Sequence, residues 1–135
     1  VEKYLRDVRA FHLFAGQQAV TKERIMAYKK YLIEKGYACS IINARFVKPI
    51  DTEILDEAAG NHRLIVTMEE NVASGGFGEK VREYLDSKEA DVKLLSINIP
   101  DEYVEHGNVD ILRKEVGIDA ESIISRTIAT YEKIK

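Results

Sequence analysis

The chain has 135 residues, 45% apolar and 32% charged, and its 20 basic and 23 acidic side chains leave a net charge of −3. That is the size and balance of one soluble globular domain, able to bury roughly two-thirds of its unfolded surface, and its interspersed charges favour neither nucleic acid nor an anionic membrane as partner. One cysteine excludes a disulfide framework or a thiolate metal cluster, and no apolar run approaches the ~20 residues of a membrane helix.

The amino end, Val1 to Asp7, is too charged for a signal peptide, so a cytoplasmic location is expected. Val1 in place of an initiator methionine suggests a piece excised from something longer. Residues 1–7 read as an edge strand or a linker remnant. Residues 8–15, VRAFHLFA, are aromatic and β-branched and stop at Gly16, which predicts a strand. His12 stands alone in it and reads as a packed residue rather than a ligand.

Thr21 is a plausible N-cap for a helix to Lys35, with Ile25, Tyr28, Leu32 and Ile33 as its buried stripe and Gly36 as its stop. Ala38 to Phe46 returns to strand, with Cys39 as a small buried residue. Pro49 ends that pairing, Asp51 caps a helix that closes near Gly60 and Asn61, and Ile50 is placed to staple onto Leu55.

The central stretch is LIVTMEENVASGGFG, residues 64–78. Its apolar start fits a strand buried on both faces over residues 64–69. It then turns polar at Glu69, Glu70 and Asn71, passes a glycine loop, and enters a helix whose face carries Phe77, Val81, Tyr84 and Leu85. A further strand spans residues 91–99 and Pro100 closes it. Residues 101–107 read as an exposed loop, Asn108 caps a helix through Val109, Leu112 and Val116, and Gly117 ends it. Ile118 can then staple onto Ile123, and Ile124, Thr127, Ile128 and Tyr131 continue the apolar face of the last helix. Strands alternating with helices at this spacing imply an α/β domain with a parallel sheet, right-handed crossovers and helices on both faces.

Ser74, Gly75, Gly76, Phe77 and Gly78 suggest a phosphate loop, but Glu79-Lys80 follows where a Walker loop needs Lys-Ser or Lys-Thr, and the dinucleotide spacing is absent. The acidic Glu69, Glu70 and Glu79 would also repel a phosphate. Close packing of a helix start against a neighbour explains the glycines better. Glu69 and Glu70 leave a strand in opposite directions and need not share one site. Arg45, Lys48, Glu105 and His106 are the other polar residues at strand ends or loops, and no nucleophile, base and orienting group assemble from them. On residues alone this is an α/β interaction domain.

The runs NARFVKPID (43–51), TMEENV (67–72) followed by Gly75, Gly76, Phe77 and Gly78, and VEHG (104–107) occur in an order and spacing that resemble the C-terminal domain of the 1-deoxy-D-xylulose-5-phosphate synthase family, in the thiamine-diphosphate transketolase superfamily. The resemblance covers residues 8–135. Residues 13–19, LFAGQQA, depart from a pattern that has a shorter Gly-Ser or Gly-Asn turn there. The resemblance implies a three-layer α/β/α sandwich on a five-stranded, mostly parallel sheet in the order 1-3-2-4-5, its antiparallel first strand falling in residues 1–7. Residues 8–15 then lie centrally, between 38–46 and 64–69.

It also implies a part in condensing pyruvate with glyceraldehyde 3-phosphate, for isoprenoid, thiamine and pyridoxal precursors. The resemblance further implies that thiamine diphosphate and magnesium sit between the first two domains of such an enzyme, and the diphosphate-binding G-D-G motif of the first of these is absent here. The chain alone is expected to be inactive, with no catalytic, cofactor-binding or metal residue, and to pack against the remaining domains and a second subunit of a homodimer. Glu69, Glu70, Asn71, Gly75, Gly76, Phe77, Gly78, Glu105 and His106 are the interface candidates. The corresponding domain of a 2-oxo acid dehydrogenase β subunit, or a free-standing α/β binding module, remain alternatives.

Overall fold

The computed structural model describes residues 11–15, 22–44, 48–101 and 107–134, with the side chains of residues 11–15, 22–25, 70, 109, 110 and 120 outside that description. Residues 1–7, Gly16, Thr21, Arg45, Glu105 and His106 therefore lie outside the described residues, as does the expected antiparallel edge strand. The elements run β1 (Phe11–Ala15), α1 (Lys22–Glu34), β2 (Cys39–Asn43), α2 (Thr52–Asn61), β3 (Leu64–Val72), α3 (Phe77–Ser87), β4 (Lys93–Ile99), α4 (Val109–Glu115) and α5 (Ala120–Ile134).

The four strands form one sheet in the order β2-β1-β3-β4, every pair parallel. Leu13 of β1 stands opposite Ile41 on one side and Val66 on the other. The central place expected for the first of these strands is thus observed, and the chain reverses its direction of travel across the sheet between the carboxyl ends of β1 and β3. In open parallel sheets that switch point is the usual place for a ligand or partner.

Side-chain alternation along the buried strands divides the interior into two cores. Leu64, Val66 and Met68 of β3 join Tyr28, Leu32, Cys39, Ile97, Ile123 and Tyr131 under α1 and α5. Ile65 and Leu94 join Leu55, Ala58, Phe77, Val81 and Leu85 under α2 and α3. Helices thus cover both faces, in three layers, and each fully buried Leu, Ile or Phe contributes roughly 1.5–3 kcal/mol through removal from water.

Local signals set the helix ends. Asp51 caps α2, its carboxylate accepting from Ile54 N at 3.1 Å, and Ile50 and Leu55 share one core. Gly36 ends α1 at φ +88°, with Tyr37 N donating to Leu32 O at 2.8 Å. Gly117 ends α4 in the same way at φ +77°, Ile118 N donating to Arg113 O at 2.9 Å. Both are the reversed final turn that a left-handed glycine permits. Asp119 accepts from Ser122 N, and Ile118 and Ile123 meet in the core.

Two expectations need correction. Ile33 is 46% exposed, not part of the buried stripe. Leu32 takes the inward position four residues after Tyr28, and Ile33, a further ~100° round the helix, falls beyond the contact. The strand at residue 64 also does not end at the first polar residues: it continues to Val72, which pairs with Ile99 after a register shift beyond Met68. Four residues of β3 advance there against two of β4, so Glu69 to Asn71 belong to an irregular strand end.

Candidate functional site

Because side chains alternate along β3, Ile65, Thr67 and Glu69 fall on the face covered by α3. All three are buried, Glu69 to 6% exposure. Burial of a carboxylate is costly unless it is bonded, and here both oxygens are: Oε1 accepts the N–H of Phe77 at 2.9 Å and Oε2 that of Gly78 at 2.7 Å. These are the first N–H groups of α3, whose cap residue, Gly76, has no side chain to supply. Glu69 therefore closes the helix from the adjacent strand, with its negative charge at the positive end of the helix dipole.

The glycines make room for this arrangement. A β-carbon on Gly76 would collide with Glu69 Oε1 and lie 2.6 Å from Val72 O. One on Gly78 would lie 2.8 Å from both Thr67 Oγ1 and Ser96 Oγ. Gly75 serves differently: it is exposed, has open space around it, and turns the chain at φ +75° while its N–H donates to the Glu79 carboxylate.

The expected site residues thus separate. Gly76 and Gly78 are buried against the domain's own atoms. Phe77, read both as part of the helix's apolar face and as an interface candidate, is 4% exposed and packs in the domain's own core with Leu55, Ile65 and Val81, as the first inward residue of α3. Asn71 is exposed, its Oδ1 accepting from Val72 N at 3.0 Å. The backbone of Glu70 lies in β3 between the buried Glu69 and the exposed Asn71.

The geometry also explains why the glycine loop does not suit a phosphate. The anion position at the start of α3 is filled by the protein's own carboxylate. Among the described residues no group of His, Cys, Asp or Glu could hold a metal ion. At the opposite end of the sheet Ser40 Oγ lies 3.4 Å from His62 Nε2, and His62 Nδ1 lies 3.2 Å from Ala58 O. Residue reading did not single out this contact, since no motif links positions so far apart in sequence. Both residues are buried, His62 to 3%, so no substrate reaches them from solvent. Burial pushes the thiol of Cys39 up to about 11, against a smaller opposing effect of Lys29, and a neutral thiol is a poor nucleophile.

Residues 20–123 match the family described as Transketolase, C-terminal domain. The chain belongs to that family. Like this transketolase C-terminal domain, the chain described as "Split gene transketolase, inactive beta4 tetramer" has the same fold, with a TM-score of 0.83 over 96% of this chain and 42% of the other at 23% identity. A protein of Lachnoclostridium phytofermentans named 1-deoxy-D-xylulose-5-phosphate synthase is 41% identical over 105 residues, 77% of this domain and 17% of that protein. One of the same name from Chlorobaculum tepidum is 45% identical over 92 residues, 68% of this domain and 14% of that protein. The transketolase C-terminal domain described here spans less than a fifth of these relatives' length.

Proposed function

We propose that the chain is the C-terminal domain of a 1-deoxy-D-xylulose-5-phosphate synthase, a transferase joining pyruvate to glyceraldehyde 3-phosphate with loss of carbon dioxide, and that it packs rather than catalyses within that enzyme. The observation that carries this reading is the 41% identity, over 77% of the chain, to a protein of that name. The site geometry supports the division of labour. Among the described residues, Glu69 is bonded to two backbone N–H groups and Ser40 and His62 meet inside the fold.

The described residues do not fit thiamine diphosphate with its magnesium. The glycine-loop helix start is occupied by Glu69, and no metal-ligating group is assembled among them. In this reading the cofactor and metal are held by the other domains. The carboxyl edge of the sheet, with Glu70, Asn71 and Gly75, faces those domains or the second subunit of a homodimer, and Glu69, Gly76, Phe77 and Gly78 shape that edge from beneath. The fold relative described as an inactive tetramer is in keeping with a chain that assembles but does not turn over by itself.

The test compares the whole protein with this chain alone, each given pyruvate, glyceraldehyde 3-phosphate, thiamine diphosphate and magnesium. Formation of 1-deoxy-D-xylulose 5-phosphate by the whole protein only is the expected result. Turnover by the chain alone would overturn the packing role. A whole protein inert with these substrates but active in decarboxylating 2-oxo acids for acyl transfer would place it with the 2-oxo acid dehydrogenases.

A further inference from the structure

Strand β4 pairs with β3 on one side, and in the described sheet nothing pairs with its other side. Lys93 N donates to Arg63 O, toward β3. By the alternation of a parallel ladder, Leu94 and Ser96 then direct their backbone N–H and C=O outward. Along this edge runs a groove of about 500 Å³ lined by Arg82 of α3, Lys93, Leu95 and Ser96 of β4, and Thr130 and Lys133 of α5. Its walls come from both helical layers, with the edge strand as its floor. This is the space a further strand would occupy.

The charge of the groove selects the occupant. Arg82, Lys93 and Lys133 are exposed and, among the described residues, no carboxylate lines the groove, although the whole chain carries a net −3. Glu83, next to Arg82, pairs with Lys80 at 3.2 Å, and Glu132, next to Lys133, accepts the hydroxyl of Tyr37, while Asp91, two residues before Lys93, is exposed and outside the groove lining. A second copy pairing edge to edge would bring like charges together, the usual protection of an exposed strand. We propose that this groove is a docking slot for an extended acidic segment of a partner protein, which joins the sheet beside β4, its backbone bonded to Leu94 and Ser96 and its carboxylates to the three cations. Main-chain pairing supplies affinity in such additions and the side-chain rows supply selectivity.

The probe is a fluorescent peptide alternating glutamate with valine and threonine, titrated into the whole protein and followed by anisotropy. Saturable binding is expected. It should weaken by about tenfold or more in the double variant Arg82→Glu, Lys133→Glu, disappear when alternate peptide nitrogens are methylated, and slow amide exchange in residues 93–97. Circular dichroism confirms that the double variant is folded. Equal binding of the methylated peptide, or its displacement by inorganic phosphate at matched ionic strength, would reduce the groove to a simple anion site and overturn the proposal. So would the absence of binding at millimolar peptide.

Discussion

Gly78 donates its backbone N–H to Glu69 Oε2 at 2.7 Å, and a side chain on that glycine would meet Thr67 Oγ1 and Ser96 Oγ at 2.8 Å. The carboxylate and the missing side chain are two halves of one device. Helix α3 can lie close enough to β3 and β4 for a strand residue to cap it only because nothing projects from Gly76 and Gly78. The capped helix in turn sets the form of the loop at the sheet's carboxyl edge.

Replacing Glu69 by Ala should therefore destabilise the domain by about 3 kcal/mol, since it strands two N–H groups that had a charged acceptor. Glu69→Gln should fall between the two, because an amide offers one acceptor oxygen and turns an NH₂ toward the other donor. Urea midpoints at constant slope measure both. Loss of stability below about 0.5 kcal/mol in the Ala variant would mean that water replaces the carboxylate at no cost.

The glycines should rank by what their β-carbons meet. Gly76→Ala and Gly78→Ala force a shift of Val72 O or of the Thr67 and Ser96 hydroxyls, and overpacking of this kind costs about 1–3 kcal/mol. Gly75→Ala meets no neighbouring atom and bears only the strain of φ +75°, about 1–2 kcal/mol. Thermal midpoints of the three variants check the order. Gly75→Ala as the most damaging would contradict the packing account.

Much of this architecture was legible because local chemistry and tertiary packing agree. Asp51 before a helix, Gly36 and Gly117 after one, and the Ile50–Leu55 and Ile118–Ile123 staples each satisfy backbone groups or bury apolar surface within a few residues. The site was less legible. Close packing of a helix start does account for Gly76 and Gly78, but the neighbour is the domain's own β3 and β4, and Glu69, named as an interface candidate, is bonded within the domain. What decides the matter is the separation of β3 from α3, which no spacing in the sequence expresses. Ile33 failed because it lies at the margin of an apolar stripe, where the angle of packing rather than the period determines burial, whereas Phe77, on the apolar face of its helix, is buried as the period implied.

Cys39 gives a pH-dependent test. Its folded value near 11 stands above the ordinary thiol value of 9.0, chiefly through desolvation. The fold therefore favours the protonated thiol. Its contribution to stability is complete below pH 9.0 and is lost as pH rises through about 11. At pH 8 a disulfide reagent should modify Cys39 slowly in native protein and at the rate of a free thiol in denaturant. Fast modification of the native chain would place the thiol at the surface.

Asn71 probes the proposed seating of the loop against the rest of the enzyme. Its side chain is exposed in this domain, so Asn71→Trp should leave the stability of the isolated chain within about 0.5 kcal/mol, as is usual for surface substitutions. In the whole protein the same indole would wedge between packed surfaces. A tenfold weakening of subunit association, about 1.4 kcal/mol, is the expected size, read by mass photometry on dilution. Turnover per assembled enzyme should stay close to that of the parent, because the substitution acts on packing and not on reacting groups. Unchanged assembly with unchanged turnover would show that Asn71 faces solvent in the enzyme. Unchanged assembly with turnover lowered a thousandfold would put the loop in the active site and end the assignment of this domain to packing alone.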